Sequence, residues 1–252
     1  MGLERLWRLA YPEQCIVCGS LLDGRRRHVC AACRESLPWV GPHVCPRCGA
    51  SVGAHAATVR GCASCRGRSL AFRRALAPFR YQGLVRELLL RFKLGGEAWL
   101  AYPLGDLLCD HLASGGVSPV ADVVVPVPLH WRRRLKRRFN QAGLLALEVG
   151  HRFALPVAAR ALRRRRPTRS QTSFSRLSRQ ANVRGAFVVR RHGVGEPLAA
   201  RLADRLMRPP GLLGKRVLLV DDILTTGSTA HECARALRAA GAAEVLVATV
   251  AR

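Results

Sequence analysis

The sequence predicts an α/β protein: a parallel sheet with helices on both faces, preceded by a small Cys-rich module. Three observations carry that prediction. Eight cysteines between residues 15 and 65 fall into four Cys-x-x-Cys pairs. Two uninterrupted apolar runs, Val123-Val124-Val125 and Val217-Leu218-Leu219-Val220, have the character of strands buried on both faces. A helical pattern follows each run, as in β-α-β units. The 252 residues divide into a module over 1–70 and a larger domain over 71–252. A hydrophobic fraction of 49% and a charged fraction of 23% exclude a disordered or collagen-like chain. No run of 18 apolar residues occurs, so no membrane-spanning helix is expected. The opening Met1-Gly2-Leu3-Glu4-Arg5-Leu6-Trp7 has no long apolar core, so no secretory signal is expected either.

The Cys-rich module comes first. Its pairs are Cys15/Cys18, Cys30/Cys33, Cys45/Cys48 and Cys62/Cys65, with 11 residues between the first two pairs and 13 between the last two. Two thiolates separated by two residues grip one ion from a tight turn, and two such turns complete a tetrahedron around Zn²⁺. Gly19 and Gly49 follow the second cysteine of a pair, where the turn favours positive φ. A disulfide framework would need an oxidising compartment. Two structural zinc ions, one per consecutive four-Cys set, are expected. Interleaved pairing, or one ion beside a degenerate second site, is the alternative. Cys109 and Cys233 lack partners at ligand spacing and read as small buried apolar residues.

The middle segment opens with a strand over 123–129 ended by Pro126 and Pro128. It runs into Arg132-Arg133-Arg134-Leu135-Lys136-Arg137-Arg138. Phe139-Asn140-Gln141 then leads into a helix over 142–153, with Asn140 as its N-cap. A strand passing through a basic loop to a helix N-terminus is an anion site. Arg163-Arg164-Arg165-Arg166 follows. The Ser/Arg-rich stretch over 168–183, which includes Gln171, reads as a long mobile loop. A helix is expected over 197–207, with Pro209-Pro210 after it.

The sharpest segment is Val217-Leu218-Leu219-Val220-Asp221-Asp222-Ile223-Leu224-Thr225-Thr226-Gly227-Ser228-Thr229. A buried strand over 217–220 ends in two acids, then a hydroxyl-rich loop around one glycine. A helix over 229–240, stopped by Gly241, and a strand over 244–250 complete a β-α-β unit. Open α/β sheets bind ligands at this end of their strands. The helix N-terminus and Thr225, Thr226, Ser228 and Thr229 offer donors to a phosphate, and Gly227 permits close backbone approach. Asp221 and Asp222 only accept, so they suit sugar hydroxyls or Mg²⁺.

Charge is the abnormal quantity. Forty-two Lys and Arg against 16 Asp and Glu leave +26, and only Lys93, Lys136 and Lys215 are lysines. Residues 76–119 are net neutral, whereas 120–192 carry +16. Such a field argues for a polyanionic partner: nucleic acid, phosphates or an anionic lipid surface. Arginine suits the task because its planar fork meets two phosphate oxygens at once.

The strand-Asp-Asp-loop-Thr-Gly-Ser-Thr order resembles the binding motif of type I phosphoribosyltransferases. That resemblance implies that Asp221 and Asp222 take the ribose hydroxyls of phosphoribosyl pyrophosphate and that Thr225 to Thr229 take its 5-phosphate. Purine-salvage members place a carboxylate base at the position of Thr225; threonine supplies none. The four cysteine pairs, Pro126-Val127-Pro128-Leu129, Arg137-Arg138-Phe139-Asn140-Gln141, the Gln/Arg/Asn loop and Val220-Asp221-Asp222 occur in one order. Tyr81 and Lys93-Leu94-Gly95-Gly96 join them. This order is similar to that of the ComF (competence protein F) family, in which a double zinc ribbon precedes a phosphoribosyltransferase-like domain. The family's usual glycine before Phe-Asn-Gln is Arg138 here. Membership implies a cytoplasmic bacterial protein linked to DNA uptake, with single-stranded DNA as a partner; a peripheral position at the inner membrane is the alternative.

Two functional classes follow. In the first the protein is a phosphoribosyltransferase acting on phosphoribosyl pyrophosphate with Mg²⁺. Asp221 and Asp222 are then the catalytic pair, and Arg132, Arg137, Asn140, Gln141 and Gln171 join the 225–229 loop in holding substrate. In the second it binds single-stranded DNA without turnover and retains the phosphate cradle.

Overall fold

The computed structural model describes residues 14–22, 28–115, 121–129, 139–165, 183–190 and 211–252. Its helices are α1 (Ala31–Ser36), α2 (Gly83–Leu94), α3 (Ala101–Ser114), α4 (Gln141–Phe153) and α5 (Ser228–Ala239). Its strands are β1 (Arg74–Leu76), β2 (Val123–Pro126), β3 (Leu162–Arg164), β4 (Phe187–Val189), β5 (Arg216–Ile223) and β6 (Glu244–Ala251). Four of them form a parallel sheet in the order β1-β6-β5-β2.

Alternation along the two central strands explains the layers, because successive side chains leave a strand on opposite faces. Leu218 and Val220 with Leu246, Ala248 and Val250 point to one face, where α2, α3 and most of α4 cover them. Val217 and Leu219 with Val245 and Val247 point to the other, under Ala230, Cys233, Ala234 and Leu237 of α5. Both faces are buried, so β5 and β6 read as continuous apolar runs. Cys109 and Cys233 are fully buried in these two layers, as expected of small apolar residues.

Three boundaries differ from expectation. The strand β2 stops at Pro126 because neither Pro126 nor Pro128 can donate to a ladder; the Val127 N–H adds one last bond, to the Val220 carbonyl at 2.8 Å. The strand β5 runs on through Asp221 and Asp222 to Ile223, so the two acids lie inside the strand rather than after it. Arg163 and Arg164 belong to β3, which pairs antiparallel with β4, and the Arg164 guanidinium lies 5.3 Å from the Phe187 ring centroid. The run 163–165 is therefore anchored in a two-stranded ribbon. The expected loop over 168–183 lies almost wholly outside the described residues, as does the expected helix over 197–207.

The Cys-rich module packs on the edge strand β1 and its extension. The Val40 N–H donates to the Pro78 carbonyl at 2.9 Å, and the Ala75 N–H donates to the Arg47 carbonyl at 3.0 Å. Trp39 meets Phe79 at 4.6 Å between ring centroids. An edge that would otherwise expose unpaired backbone is thereby covered. Cys15, Val29 and Leu37 are buried in the same core as α2 and α3.

Candidate functional site

Two metal sites stand in the N-terminal module. Cys15, Cys18, Cys30 and Cys33 form one set and Cys45, Cys48, Cys62 and Cys65 the other, each with its sulfurs within 4.8 Å of one another. In a tetrahedron with Zn–S bonds of about 2.3 Å, sulfurs stand about 3.8 Å apart. Here Cys18 and Cys30 are 3.8 Å apart, Cys45 and Cys65 3.7 Å, Cys48 and Cys62 3.5 Å, and Cys62 and Cys65 4.0 Å. Both sets fit zinc, and the pairing is consecutive, not interleaved. Four thiolates leave no position for water, so the zinc is structural. The second set is buried throughout, whereas Cys18 in the first is exposed.

The cradle stands at the carboxyl end of β5. Asp222 is 9% exposed and pairs with Lys93 Nζ at 3.0 Å. The Asp222 N–H donates to Asp221 Oδ1 at 2.9 Å. Burial first, and the neighbouring Asp222 carboxylate second, push the Asp221 carboxyl up to about 8, against the pull of Lys93. Lys93 was not among the residues expected at the site. It lies near the end of α2, ahead of Gly95 and Gly96, and as one of three lysines among 39 arginines it carried a faint signal.

The loop then turns into α5. Gly227 sits at the N-cap with φ +75°, a conformation costly for residues with a Cβ. Ser228 is buried, its hydroxyl 3.0 Å from that of Thr226. Among the described residues nothing accepts from the backbone N–H groups of Thr225, Thr226 and Gly227. The loop carbonyls, by contrast, are occupied. Arg252 donates through Nη1 to the Thr225 carbonyl at 3.0 Å and the Leu224 carbonyl at 3.4 Å, and through Nη2 to Cys48 Sγ at 2.9 Å. Arg68 Nη1 donates to the Thr226 carbonyl at 2.6 Å. Neither arginine was singled out by sequence, since their partners lie 27 to 204 residues away. A cavity of about 350 Å³ opens between the second ribbon and this loop, lined in part by Ser51, Arg68, Tyr81, Gln82, Thr225 and Arg252.

The other expected site residues are distributed differently. Asn140 occupies the N-cap position of α4 but makes no capping bond; its Nδ2 donates to the Val127 carbonyl at 3.2 Å, tying the helix start to the end of β2. Gln141 is 1% exposed and donates to the Phe92 carbonyl at 3.4 Å, so it braces α4 against α2 from inside the core. Arg132, Arg137 and Gln171 lie outside the described residues, and with them most of the central arginine cluster.

Residues 6–68 match the double zinc ribbon domain family and residues 154–252 the phosphoribosyl transferase domain family. Over 247 residues the chain is 27% identical to competence protein F of Haemophilus influenzae, covering 95% of this chain and 96% of that protein. It is 29% identical to competence protein ComFC of Bacillus subtilis, covering 85% of this chain and 80% of that protein. It is 27% identical to the DNA utilization protein YhgH of Escherichia coli K12, covering 95% and 96% of the two chains.

Proposed function

The chain belongs to the competence protein F (ComF) family, and from its cradle we propose that it binds phosphoribosyl pyrophosphate with Mg²⁺ as a phosphoribosyltransferase-like protein serving DNA uptake. The observation that carries the reading is the pairing of opposites at one strand end. Three backbone N–H groups with no acceptor among the described residues stand at the positive end of α5, which suits a phosphate dianion. Two carboxylates stand beside them, which suits ribose hydroxyls.

Asp221 and Asp222 would hold the ribose and share its Mg²⁺, whose charge eases departure of pyrophosphate. The residues themselves orient the sugar and keep its anomeric carbon in a partly desolvated site. Positive charge from Lys93 and the middle arginines would stabilise the pyrophosphate as the ribosyl bond lengthens. The chain divides at about residue 70 into the metal module and the sugar-phosphate domain. Among the described residues no helix is long and apolar enough to cross a membrane, and a cytoplasmic site of action accords with this chemistry.

The test is a melting experiment. Phosphoribosyl pyrophosphate with Mg²⁺ should raise the melting temperature by mass action. The Asp221→Asn, Asp222→Asn double variant should lose most of that rise. A full rise in the double variant would place the ribose elsewhere.

A second reading is favoured by the threonine at 225 and by the +16 over 120–192: single-stranded DNA binding without turnover. Pyrophosphate release in the presence of candidate acceptors separates the two.

A further inference from the structure

The loop carbonyls bear on more than the fold. A trans peptide places its C=O and N–H on opposite sides of one plane. The carbonyls of Leu224, Thr225 and Thr226 share their planes with the N–H groups of Thr225, Thr226 and Gly227. Arg252 holds the first two carbonyls and Arg68 the third. Arg68 belongs to the ribbon module and Arg252 also holds its Cys48, so the carbonyls face the ribbon and the three N–H groups are turned away from it. The phosphate loop is preorganised by its back.

The back of the loop is wired to a metal site. The guanidinium that holds Leu224 and Thr225 also donates to Cys48 Sγ at 2.9 Å. As a zinc-bound thiolate, Cys48 is a charged acceptor and fixes Arg252 strongly; as a free thiol it is a weak one. Arg68 leaves the chain three residues after Cys65, the last ligand of the same set. Among the described residues the first metal set makes no contact of this kind with the loop.

We propose that Arg252 and Arg68 are positioning residues that couple zinc in the second ribbon to sugar-phosphate binding at the 225–229 loop. The proposal rests on the reading of that loop as a phosphate site. Zinc at Cys45, Cys48, Cys62 and Cys65 holds Arg252, Arg252 holds the peptide planes, and the planes present the N–H groups. Coupling between two sites is reciprocal, so a ligand in the cradle must tighten zinc in the second set. The first set, which no arginine bridges to the loop among the described residues, should be unaffected.

The experiment follows zinc release from the full chain into excess of a colorimetric pyridylazo chelator, with and without saturating ribose 5-phosphate. This probe needs neither turnover nor pyrophosphate. Release should be biphasic: fast from the first set with its exposed Cys18, slow from the buried second set. Ribose 5-phosphate should slow only the slow phase, by about five- to tenfold. Arg252→Met should abolish that effect and weaken ribose 5-phosphate binding, read by calorimetry, by a similar factor. Arg68→Ala, which frees the Thr226 carbonyl, should weaken ribose 5-phosphate binding as well. If Arg252→Met does not fold, Arg252→Lys decides, because one ammonium cannot span a thiolate and two carbonyls; zinc should stay and the coupling should go. General stabilisation would slow both phases alike and overturns the proposal. Binding of ribose 5-phosphate with both phases unchanged overturns it too, while the phosphate reading stands. No calorimetric binding at all removes the phosphate reading and the coupling with it.

Discussion

Asp221 and Asp222 set two acids side by side at the end of a buried strand, and among the described residues Lys93 is the cation paired with them. The raised Asp221 value has a definite sign. Protonated Asp221 favours the folded state, so this contribution is intact below the ordinary carboxylate value near 3.8 and is lost as pH rises through about 8. Ribose hydroxyls want the charged form. Ribose 5-phosphate affinity should therefore climb as pH rises through about 8, whereas the ligand-free protein loses stability progressively between about pH 4 and 8 and little beyond. Lys93→Met removes the only cation paired with Asp222 in the described residues and should move the affinity midpoint to higher pH. Calorimetry across pH checks this; a midpoint unmoved by the substitution would show that the lysine does not set the charge of the pair. Gly227 gives a second test. Its φ is +75° and an added Cβ would meet nothing closer than Phe72 Cζ at 3.8 Å. Gly227→Ala should cost about 1–2 kcal/mol, all of it from the backbone, measured by urea unfolding.

The two ribbons are not equivalent modules, and each binds the core differently. The second places its sulfurs against Arg252 and one wall of the cavity. The first lends Cys15, Val29 and Leu37 to the core of α2 and α3. A ribbon of this size has little core of its own, so the metal supplies much of its folding free energy. The protein should hold two zinc ions per chain. Cys30→Ser should leave one, read by metal analysis, because three thiolates and a hydroxyl form a poor zinc site. The larger domain should stay folded but melt at lower temperature, since Val29 and Leu37 lose cover worth at most about 1.5–3 kcal/mol each. An unchanged melting temperature would mean that the first ribbon is only tethered. α4 shows a different economy: its N-terminal Asn140 and Gln141 face β2 and α2, so residues that resemble a substrate turn serve here as struts.

For the molecule as a whole, what was legible in the sequence had its partners close by. The β5–α5–β6 unit spans one short stretch, and each metal set closes within about twenty residues, so strand runs, spacing and glycine placement sufficed. The ion pair of Lys93 with Asp222, the Arg68 bond to Thr226 and the Arg252 bond to Cys48 join positions that only the sheet order brings together. No local pattern encodes such pairs, and a chain with 39 arginines hides two that matter. The same abundance gives the last prediction. A net charge of +26, with +16 over 120–192, should bind single-stranded DNA with little sequence preference. Aromatic residues are 6% of the chain, so base stacking adds less than in dedicated single-strand binders. Neutralising phosphates releases counterions, and the log–log salt slope should be near −0.7 per contacted phosphate. Arg164 is excluded from the test because it stacks on Phe187. Arg163, on that ribbon, and Arg165, just after it, are exposed. Replacing Arg163, Arg165 and Arg166 by Ala should lower the slope by about 2 if each meets one phosphate. A fluorescence-anisotropy salt titration of wild type and the triple variant reads it. A flat response in wild type, or an equal slope in the variant, would leave this run as a solvated face and assign the DNA contact, if any, to other arginines.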